Sequence, residues 1–209
     1  MPWPDAYEIP VFICPSTSNT HPFVPEVESF EIPIIVTGTA ARSDYEAIGG
    51  VLVSPLSATD YYDLSVVRFG CWGERQYKPG LAQVIHYRKA RYADITDGLS
   101  HTLLVGERGG RPDIFDRGQP EIPFPYEGVT GAPDWHQAAW GISTFYRWIV
   151  FWHEQGVNDT NRDGIYGFHP SGANVTFADG SVRFLADSIS PAVLSAMATR
   201  AEGESVNID

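Results

Sequence analysis

The stretch HPSGANVTFADGSVRFLADSIS, residues 169–190, holds a turn signal between two apolar alternations. Asp179-Gly180 is a dipeptide typical of a two-residue type I′ turn, in which both residues take a positive φ. A turn there predicts an antiparallel hairpin over residues 169–186 with the apolar side chains on one face. The predicted pairs on that inner face are Phe177 with Val182 and Val175 with Phe184, and Thr176 pairs with Arg183 on the outer face.

A short helix is predicted after the hairpin. Ser190 and Pro191 form a helix-start signal, because Ser is a good N-cap and Pro suits the first helical position. An apolar stripe and then Gly203 follow, and Gly203 is a plausible helix end. Strand-like runs elsewhere, HTLLVGER (101–108) and TFYRWIVFW (144–152), complete the pattern. The sequence therefore predicts an α+β fold built on an antiparallel sheet.

Length and charge limit the classes of function. The 209 residues fit a single domain, 1–209, and the net charge of −12 disfavours nucleic acid and anionic membranes as partners. No apolar run approaches the roughly 18–20 residues that cross a bilayer. The start, MPWPDAYEIP, does not resemble a signal peptide. We expect a soluble chain, with the extracytoplasmic part of a longer protein as an open alternative.

The two cysteines, Cys14 and Cys71, leave two alternatives open. A disulfide between them would contribute about 4 kcal/mol by restricting the unfolded chain. The other alternative is a pair of buried free thiols. The chain has no CxxC pair and no His at ligand spacing from a Cys, so zinc is not expected.

Three motif residues are expected to have backbone roles. Pro170 holds His169 extended, so its imidazole can bond to nearby backbone or a carboxylate as a structural brace. The alternative for His169 is a ligand or acid–base role. Asp97 should accept backbone N–H bonds while Gly98 takes a positive φ. A catalytic role for Asp179 is less favoured than a backbone role, because the Asp of an Asp-Gly hairpin usually serves the turn.

The segment NDTNRDGIYG (158–167) begins like a calcium-binding loop, with Asp159, Asn161 and Asp163 at alternate positions. A complete loop of this kind has an acidic residue at its twelfth position, where this chain has Pro170. A calcium ion would therefore need another carboxylate, such as Glu154 or Asp179. The alternative is a metal-free turn.

A long Gly/Pro-rich segment, residues 109–133, predicts a loop that is either functional or an inert surface excursion. Aromatic residues in and after this loop are candidates for a binding surface for a carbohydrate or a protein, with burial in the core as the alternative. They are Phe124, Tyr126, Trp135 and Trp140.

Catalytic motifs are incomplete. HEQGV (153–157) lacks the second His of a zinc protease motif, and GISTF (141–145) lacks the last Gly of a nucleophile elbow. Acids such as Glu107 and Asp113 could serve a glycosidase only if the fold brings them together. We therefore expect no enzyme and rank a hydrolase third among the functions.

Four segments resemble the bacterial H-x(9)-DG domain family, a prepilin-like or pseudopilin-like family, and they occur along the chain in the family's order. His169 is followed by nine residues and then by Asp179-Gly180. The other segments are FICPS (12–16), SDYEAIGG (43–50) and ITDGLSHTLLVGER (95–108). The C-terminal LSAMATRAEGE (194–204) is also similar, whereas the family's N-terminal prepilin helix is not among the 209 residues.

The resemblance implies an extracytoplasmic domain (periplasm, cell surface or secreted) of the kind found in type II secretion and type IV pilus systems, with no established enzymatic activity. It implies partners that are protein subunits of an envelope or filament assembly, and an anchor through an N-terminal helix. It also strengthens the calcium hypothesis, because pseudopilins bind calcium near their C-terminal loops. The alternative function is a calcium-stabilised extracellular module that binds carbohydrate or protein.

Overall fold

The fold is described from a computed structural model. It describes residues 8–17, 40–52, 67–78, 83–111, 113–122, 149–152 and 154–203, together with three short strands at 23–24, 27–28 and 35–36. The aromatic candidates Phe124, Tyr126, Trp135 and Trp140 lie outside the described residues, so the binding-surface hypothesis stays a prediction.

The described residues form fourteen strands, one α-helix and two short 3₁₀ turns at Pro10–Phe12 and Tyr92–Asp94. The strands of the first half are β1 (Phe23–Val24), β2 (Val27–Glu28), β3 (Ile35–Val36), β4 (Ala40–Ala41), β5 (Tyr45–Leu52), β6 (Val67–Phe69), β7 (Gly73–Lys78) and β8 (Gln83–Lys89). Those of the second half are β9 (Leu103–Glu107), β10 (Ile114–Asp116), β11 (Gln119–Ile122), β12 (Ile149–Trp152), β13 (Gly172–Phe177) and β14 (Val182–Ala186). The helix is α1 (Pro191–Ala198).

The main sheet has the strand order β12-β5-β9-β13-β14, and β6 also pairs with β5. The pairs β5–β9, β9–β13 and β13–β14 are antiparallel, which confirms the predicted α+β class and the C-terminal hairpin followed by a short helix. One edge departs from the prediction, because β12 pairs in parallel with β5. The apolar run at 144–152 did not indicate a direction, since a strand that is apolar on both faces can join either kind of pair.

The register of the β13–β14 hairpin differs by one residue from the predicted register. Asn174 lies opposite Phe184 and Thr176 opposite Val182, whereas the sequence predicted Val175 and Phe177 as their partners. Gly180 has a φ of 84° but Asp179 does not have a positive φ, so no type I′ turn forms at this dipeptide. Gly180 N–H instead donates to Phe177 O, and Phe177 N–H donates to Ser181 O. These bonds close a three-residue loop with a glycine bulge.

The one-residue shift decides which side chains enter the core. Phe177 and Val175 are buried, whereas Val182 is 67% exposed and Phe184 is 49% exposed. The two rings therefore lie on opposite faces, and the predicted inner face with two rings and two valines is wrong. The reason is the period of two along a strand, which moves every side chain to the other face when the register shifts by one.

The first part of the predicted 109–133 loop is a hairpin. Strands β10 and β11 pair antiparallel with Asp116 opposite Gln119, which leaves a two-residue turn. Arg117 and Gly118 in that turn have φ values of 46° and 80°. Two positive φ values are the requirement of a type I′ turn, so the turn type predicted at residues 179–180 occurs here instead. The rest of the segment, from 123 to 133, lies outside the described residues.

Helix α1 packs against β5 and β9 and closes one face of the sheet. Ser190 Oγ accepts a hydrogen bond from Val193 N–H and Pro191 is the first helical residue, which confirms the predicted start. The helix ends at Ala198, five residues before the predicted end at Gly203. Thr199 ends it, because its backbone is extended and its hydroxyl donates to Ala196 O.

The core lies between α1 and the sheet and is apolar throughout. Its members are Ile48, Val51, Leu103, Ile149, Val157, Ile165, Ala173, Val175, Phe177, Leu185, Leu194, Met197 and Ala198. In the part of the chain that the structure describes, no helix has the length and apolarity that crossing a bilayer requires.

Candidate functional site

Three segments that are distant in sequence meet beside the edge of the core. Cys14 follows the first 3₁₀ turn, Glu107 is the last residue of β9 and His169 lies just before β13. Asp44 holds the first segment in place, because its Oδ2 accepts from Cys14 N–H at 2.8 Å and its own N–H donates to Phe12 O at 2.8 Å. The N-terminal segment is therefore attached to the start of β5.

The three side chains converge on a common point. Cys14 Sγ lies 3.7 Å from Glu107 Oε1 and 3.5 Å from His169 Nε2, and Nε2 lies 3.0 Å from Oε1. Cys14 and Glu107 are almost fully buried, whereas the His169 side chain is 24% exposed. Cys14 and Glu107 are therefore shielded from solvent, and solvent reaches the cluster past the His169 imidazole.

Neighbouring groups hold two of the three side chains, those of Glu107 and His169. Asn174 donates from its backbone N–H to Glu107 Oε2 at 2.6 Å and from its side chain to Oε1 at 3.0 Å. The side-chain nitrogen of Asn174 is also 3.0 Å from His169 Nε2, and Ser16 Oγ is 3.1 Å from His169 Nδ1. Both ring nitrogens of His169 are therefore in polar contact with the protein.

Burial dominates the electrostatics around the cluster. It raises the pKa of Asp44, and the nearby Arg42 guanidinium opposes that rise. Burial also raises the pKa of Tyr45, and the acidic groups of Cys14, Glu107 and Asp44 raise it further. The Tyr45 hydroxyl therefore stays protonated.

The arrangement does not match a Cys–His–acid catalytic triad. A triad uses one ring nitrogen of the histidine for the nucleophile and the other for the orienting acid. Here Nε2 faces both Cys14 and Glu107, and Nδ1 faces Ser16. The cluster instead offers one sulfur, one oxygen and one nitrogen within 4.8 Å of one another, a donor set suited to a metal ion or to an internal clamp.

The sequence identified only part of this cluster. His169 was predicted as a brace bonded to backbone or a carboxylate, and its ring lies on the carboxylate of Glu107. Glu107 was considered only with Asp113 as a glycosidase pair, and Cys14 only as a disulfide partner or a buried free thiol. A signal was present, because the Cys-Pro-Ser, Gly-Glu and His-x(9)-Asp-Gly segments each contribute one cluster residue.

Of the two alternatives for Cys14 and Cys71, the disulfide does not form, because both cysteines are free and buried. Cys14 lies in the cluster, whereas Cys71 follows Gly70, whose carbonyl accepts a hydrogen bond from Arg200. Burial raises the pKa of Cys71 to about 12. The open alternative of two buried thiols is the one that the structure shows.

The calcium motif forms a loop tied to its surroundings. Asn161 is fully buried: its amide nitrogen donates to Gly109 O and Asp113 O, and its Oδ1 accepts from Phe115 N–H. Asp159 accepts from Gly156 N–H and from Arg117. A calcium ion would compete with these bonds for the same oxygens. The calcium hypothesis stays a prediction, and a calcium-dependent rise in melting temperature that Asp163→Ala abolishes would support it.

The remaining motif residues serve the backbone. Asp97 accepts from Glu202 N–H and Gly203 N–H at 3.0 Å each, and Gly98 has a φ of 100°. Asp179 accepts from Ser181 N–H at 2.8 Å. The Ser181 side chain, and after it this backbone hydrogen bond, lowers the pKa of the Asp179 carboxyl group. Gly180 supplies the positive φ of the hairpin. The backbone carbonyl of Asp113, the other acid considered for a glycosidase, accepts a hydrogen bond from Asn161, and its pairing with Glu107 stays a prediction.

Residues 1–192 match the protein family described as a protein of unknown function (DUF1559). The chain belongs to this family. The DUF1559 match includes Cys14, Glu107, His169 and Asp179-Gly180, and it ends within α1. No curated protein and no solved structure matches the chain.

Proposed function

We propose that this DUF1559 chain is a non-catalytic structural and interaction domain that works outside the cytoplasm, as the head of a pilin-like or pseudopilin-like subunit. The resemblance of its ordered segments to the H-x(9)-DG family supports the location and the kind of assembly. The contacts of the motif residues support the absence of catalysis, since His169 and Asp97 both bind groups of the protein itself.

The observation that carries the proposal is the exposed edge of the main sheet. Strand β14 pairs with β13 and with no other described strand, so one of its backbone edges is unpaired among the described residues. Its outward face presents Val182 and Phe184 at 67% and 49% exposure. An edge strand with exposed apolar side chains is a surface to which another chain can add by strand pairing.

The β13–β14 hairpin is held in place by the contacts of its buried face and of its loop. Phe177 is fully buried, and the Arg183 guanidinium lies 4.3 Å from the centre of its ring. The loop is tied to the segment before β9, since Ala178 N–H donates to Thr102 O and Asp179 N–H donates to Leu99 O. A rigid edge loses little conformational entropy on association, which favours its use as a docking surface.

The test places a photo-crosslinking amino acid at position 184 in the full-length protein, expressed in its own host. The matched control has the crosslinker at Tyr92, a side chain that is 76% exposed and lies outside the sheet. We expect adducts with envelope or filament subunits from position 184 and none from position 92. We also expect Phe184→Asp to abolish the adducts of a crosslinker at position 182 without lowering the melting temperature by more than a few degrees.

Cell fractionation completes the test. The proposal requires the protein outside the cytoplasm, accessible to protease added to intact cells or to periplasmic extracts. A cytoplasmic location, or equal crosslinking from positions 184 and 92, would contradict it.

A further inference from the structure

We infer that Cys14, Glu107 and His169 form a binding site for a divalent transition metal ion, with Zn²⁺ as the ion that fits best. This inference is independent of the proposed function, because it rests on the geometry of the cluster alone. The three side chains come from the N-terminal segment, from β9 and from the residues before β13.

The distances between the ligand atoms fit one metal ion. Bond lengths of about 2.0–2.3 Å and tetrahedral angles place the ligand atoms of a zinc site about 3.3–3.6 Å apart. The three separations here are 3.0, 3.5 and 3.7 Å, so small side-chain movements would complete the geometry. A thiolate sulfur, an imidazole nitrogen and a carboxylate oxygen are all ligands that zinc accepts.

Each ligand is also oriented by a group that leaves a donor atom facing the cluster. Ser16 contacts His169 Nδ1 and the backbone N–H of Asn174 holds Glu107 Oε2, so Nε2 and Oε1 are the ligand atoms. The side-chain nitrogen of Asn174, which contacts both atoms, must turn away when the ion binds. The backbone N–H of Cys14 is held by Asp44, and the sulfur has the Tyr45 hydroxyl beside it. Supporting contacts of this kind around the ligands are a usual part of metal sites.

The charge of the cluster favours a cation. A thiolate and a carboxylate together carry two negative charges, which a divalent ion would balance in this buried position. Glu107 is 1% exposed, and among the described residues its only ion-pair partner is His169. The side-chain nitrogen of Asn174 lies 3.0 Å from both Glu107 Oε1 and His169 Nε2. This neutral donor makes the contacts that the cation would make.

The exposed side of His169 leaves room for a fourth ligand. Its side chain is 24% exposed, whereas Cys14 and Glu107 are almost fully buried. Water is therefore the expected fourth ligand, and the ion enters past the imidazole.

The test uses the reduced, chelator-treated protein titrated with Co²⁺ and with Zn²⁺. We expect one ion per chain and, with Co²⁺, a thiolate-to-metal charge-transfer band that Zn²⁺ removes by displacement. Cys14→Ser should lose this band, whereas the matched variant Cys71→Ser should keep it. Absence of the band and of stoichiometric binding in the unsubstituted protein would overturn the inference, as would a band that survives Cys14→Ser.

Two further variants keep the test decisive if Cys14→Ser fails to fold. Ser16→Ala removes a supporting contact and should weaken Zn²⁺ binding by about 10–100-fold. His169→Gln removes a ligand and should weaken Zn²⁺ binding more than Ser16→Ala does. Zn²⁺ should also raise the melting temperature of the unsubstituted protein and of Cys71→Ser. Unchanged Zn²⁺ affinity in a folded His169→Gln variant would contradict the site.

Discussion

Gly172 and Gly180 are both glycines of the hairpin, but for different physical reasons. Gly180 has a φ of 84°, and a Cβ there would meet nothing within 4 Å. Gly172 has no positive φ, but a Cβ there would collide with the Leu185 carbonyl oxygen and the Phe184 ring. Gly180 is needed for its positive φ, whereas Gly172 is needed because there is no space for a Cβ.

Alanine substitutions should separate these two causes. Gly180→Ala should lower the free energy of unfolding by about 1 kcal/mol, the usual cost of the left-handed conformation for a residue with a Cβ. Gly172→Ala should lower it by about 3 kcal/mol, because backbone must move to relieve the collision. Urea unfolding measures both. Gly118→Ala, at a φ of 80° with open space around the Cβ, is the control and should behave like Gly180→Ala.

Cys71 should make the stability of the protein depend on alkaline pH. Burial raises its pKa from 9.0 to about 12, against the opposing effect of the Arg200 guanidinium. Above pH 9 the unfolded chain loses this proton while the folded chain keeps it, so the free energy of unfolding falls as pH rises. The contribution approaches about 1.4 kcal/mol per pH unit between the two pKa values.

Urea unfolding from pH 8 to 10.5 measures this effect. We expect the unsubstituted protein to lose about 1–2 kcal/mol more than Cys71→Ala over this interval. The comparison concerns the slopes with pH, because Cys71→Ala also removes some packing at every pH. Parallel pH profiles for the two proteins would contradict the raised pKa.

At the scale of the element, a single turn decides which face of β13 and β14 is buried. The sequence predicted a two-residue turn at Asp179-Gly180, but the loop has three residues and only Gly180 takes a positive φ. The hydrogen bonds from Ala178 N–H to Thr102 O and from Asp179 N–H to Leu99 O explain the difference. They hold the loop against a distant segment, and nothing local to the dipeptide encodes that contact.

The register makes opposite predictions for two phenylalanines. Phe177→Ala should cost about 3–5 kcal/mol of unfolding free energy, because a fully buried ring leaves a cavity. Phe184→Ala should cost less than about 1 kcal/mol, because that ring is half exposed on the outer face. Chemical denaturation of both variants measures the difference. Similar large losses for both would support the register that the sequence predicted.

At the scale of the molecule, the cluster around His169 joins the N-terminal segment to the paired strands β9 and β13. Its ring contacts Cys14 and Ser16 of the N-terminal segment, Glu107 of β9 and Asn174 of β13. Contacts with sequence separations of 155 and 62 residues thus meet at one imidazole. The cluster acts as a tie between the chain's first described residues and the main sheet.

Removal of this tie should loosen the N-terminal segment first. We expect His169→Ala to increase amide hydrogen exchange over residues 8–17, including the amide of Thr17, which donates to Cys14 O. Exchange in the hairpin bonds between β13 and β14 should change much less. Tyr92→Ala, a change at an exposed ring, is the control and should leave both regions unchanged. Equal acceleration throughout the sheet would show that His169 stabilises the whole fold instead.

The sequence by itself determined the features that depend on neighbours in the chain: the two strands on either side of Asp179-Gly180, the Ser190 cap with Pro191, and the positive φ of Gly98. Turn chemistry, capping and apolar alternation act over two to four residues, so they can be seen in a local pattern. Only the tertiary structure decided the hairpin register, the parallel direction of β12 and the meeting of Cys14, Glu107 and His169. Each of these depends on packing between segments that are distant along the chain. The spacing of residues in the sequence does not show which distant segments meet in space.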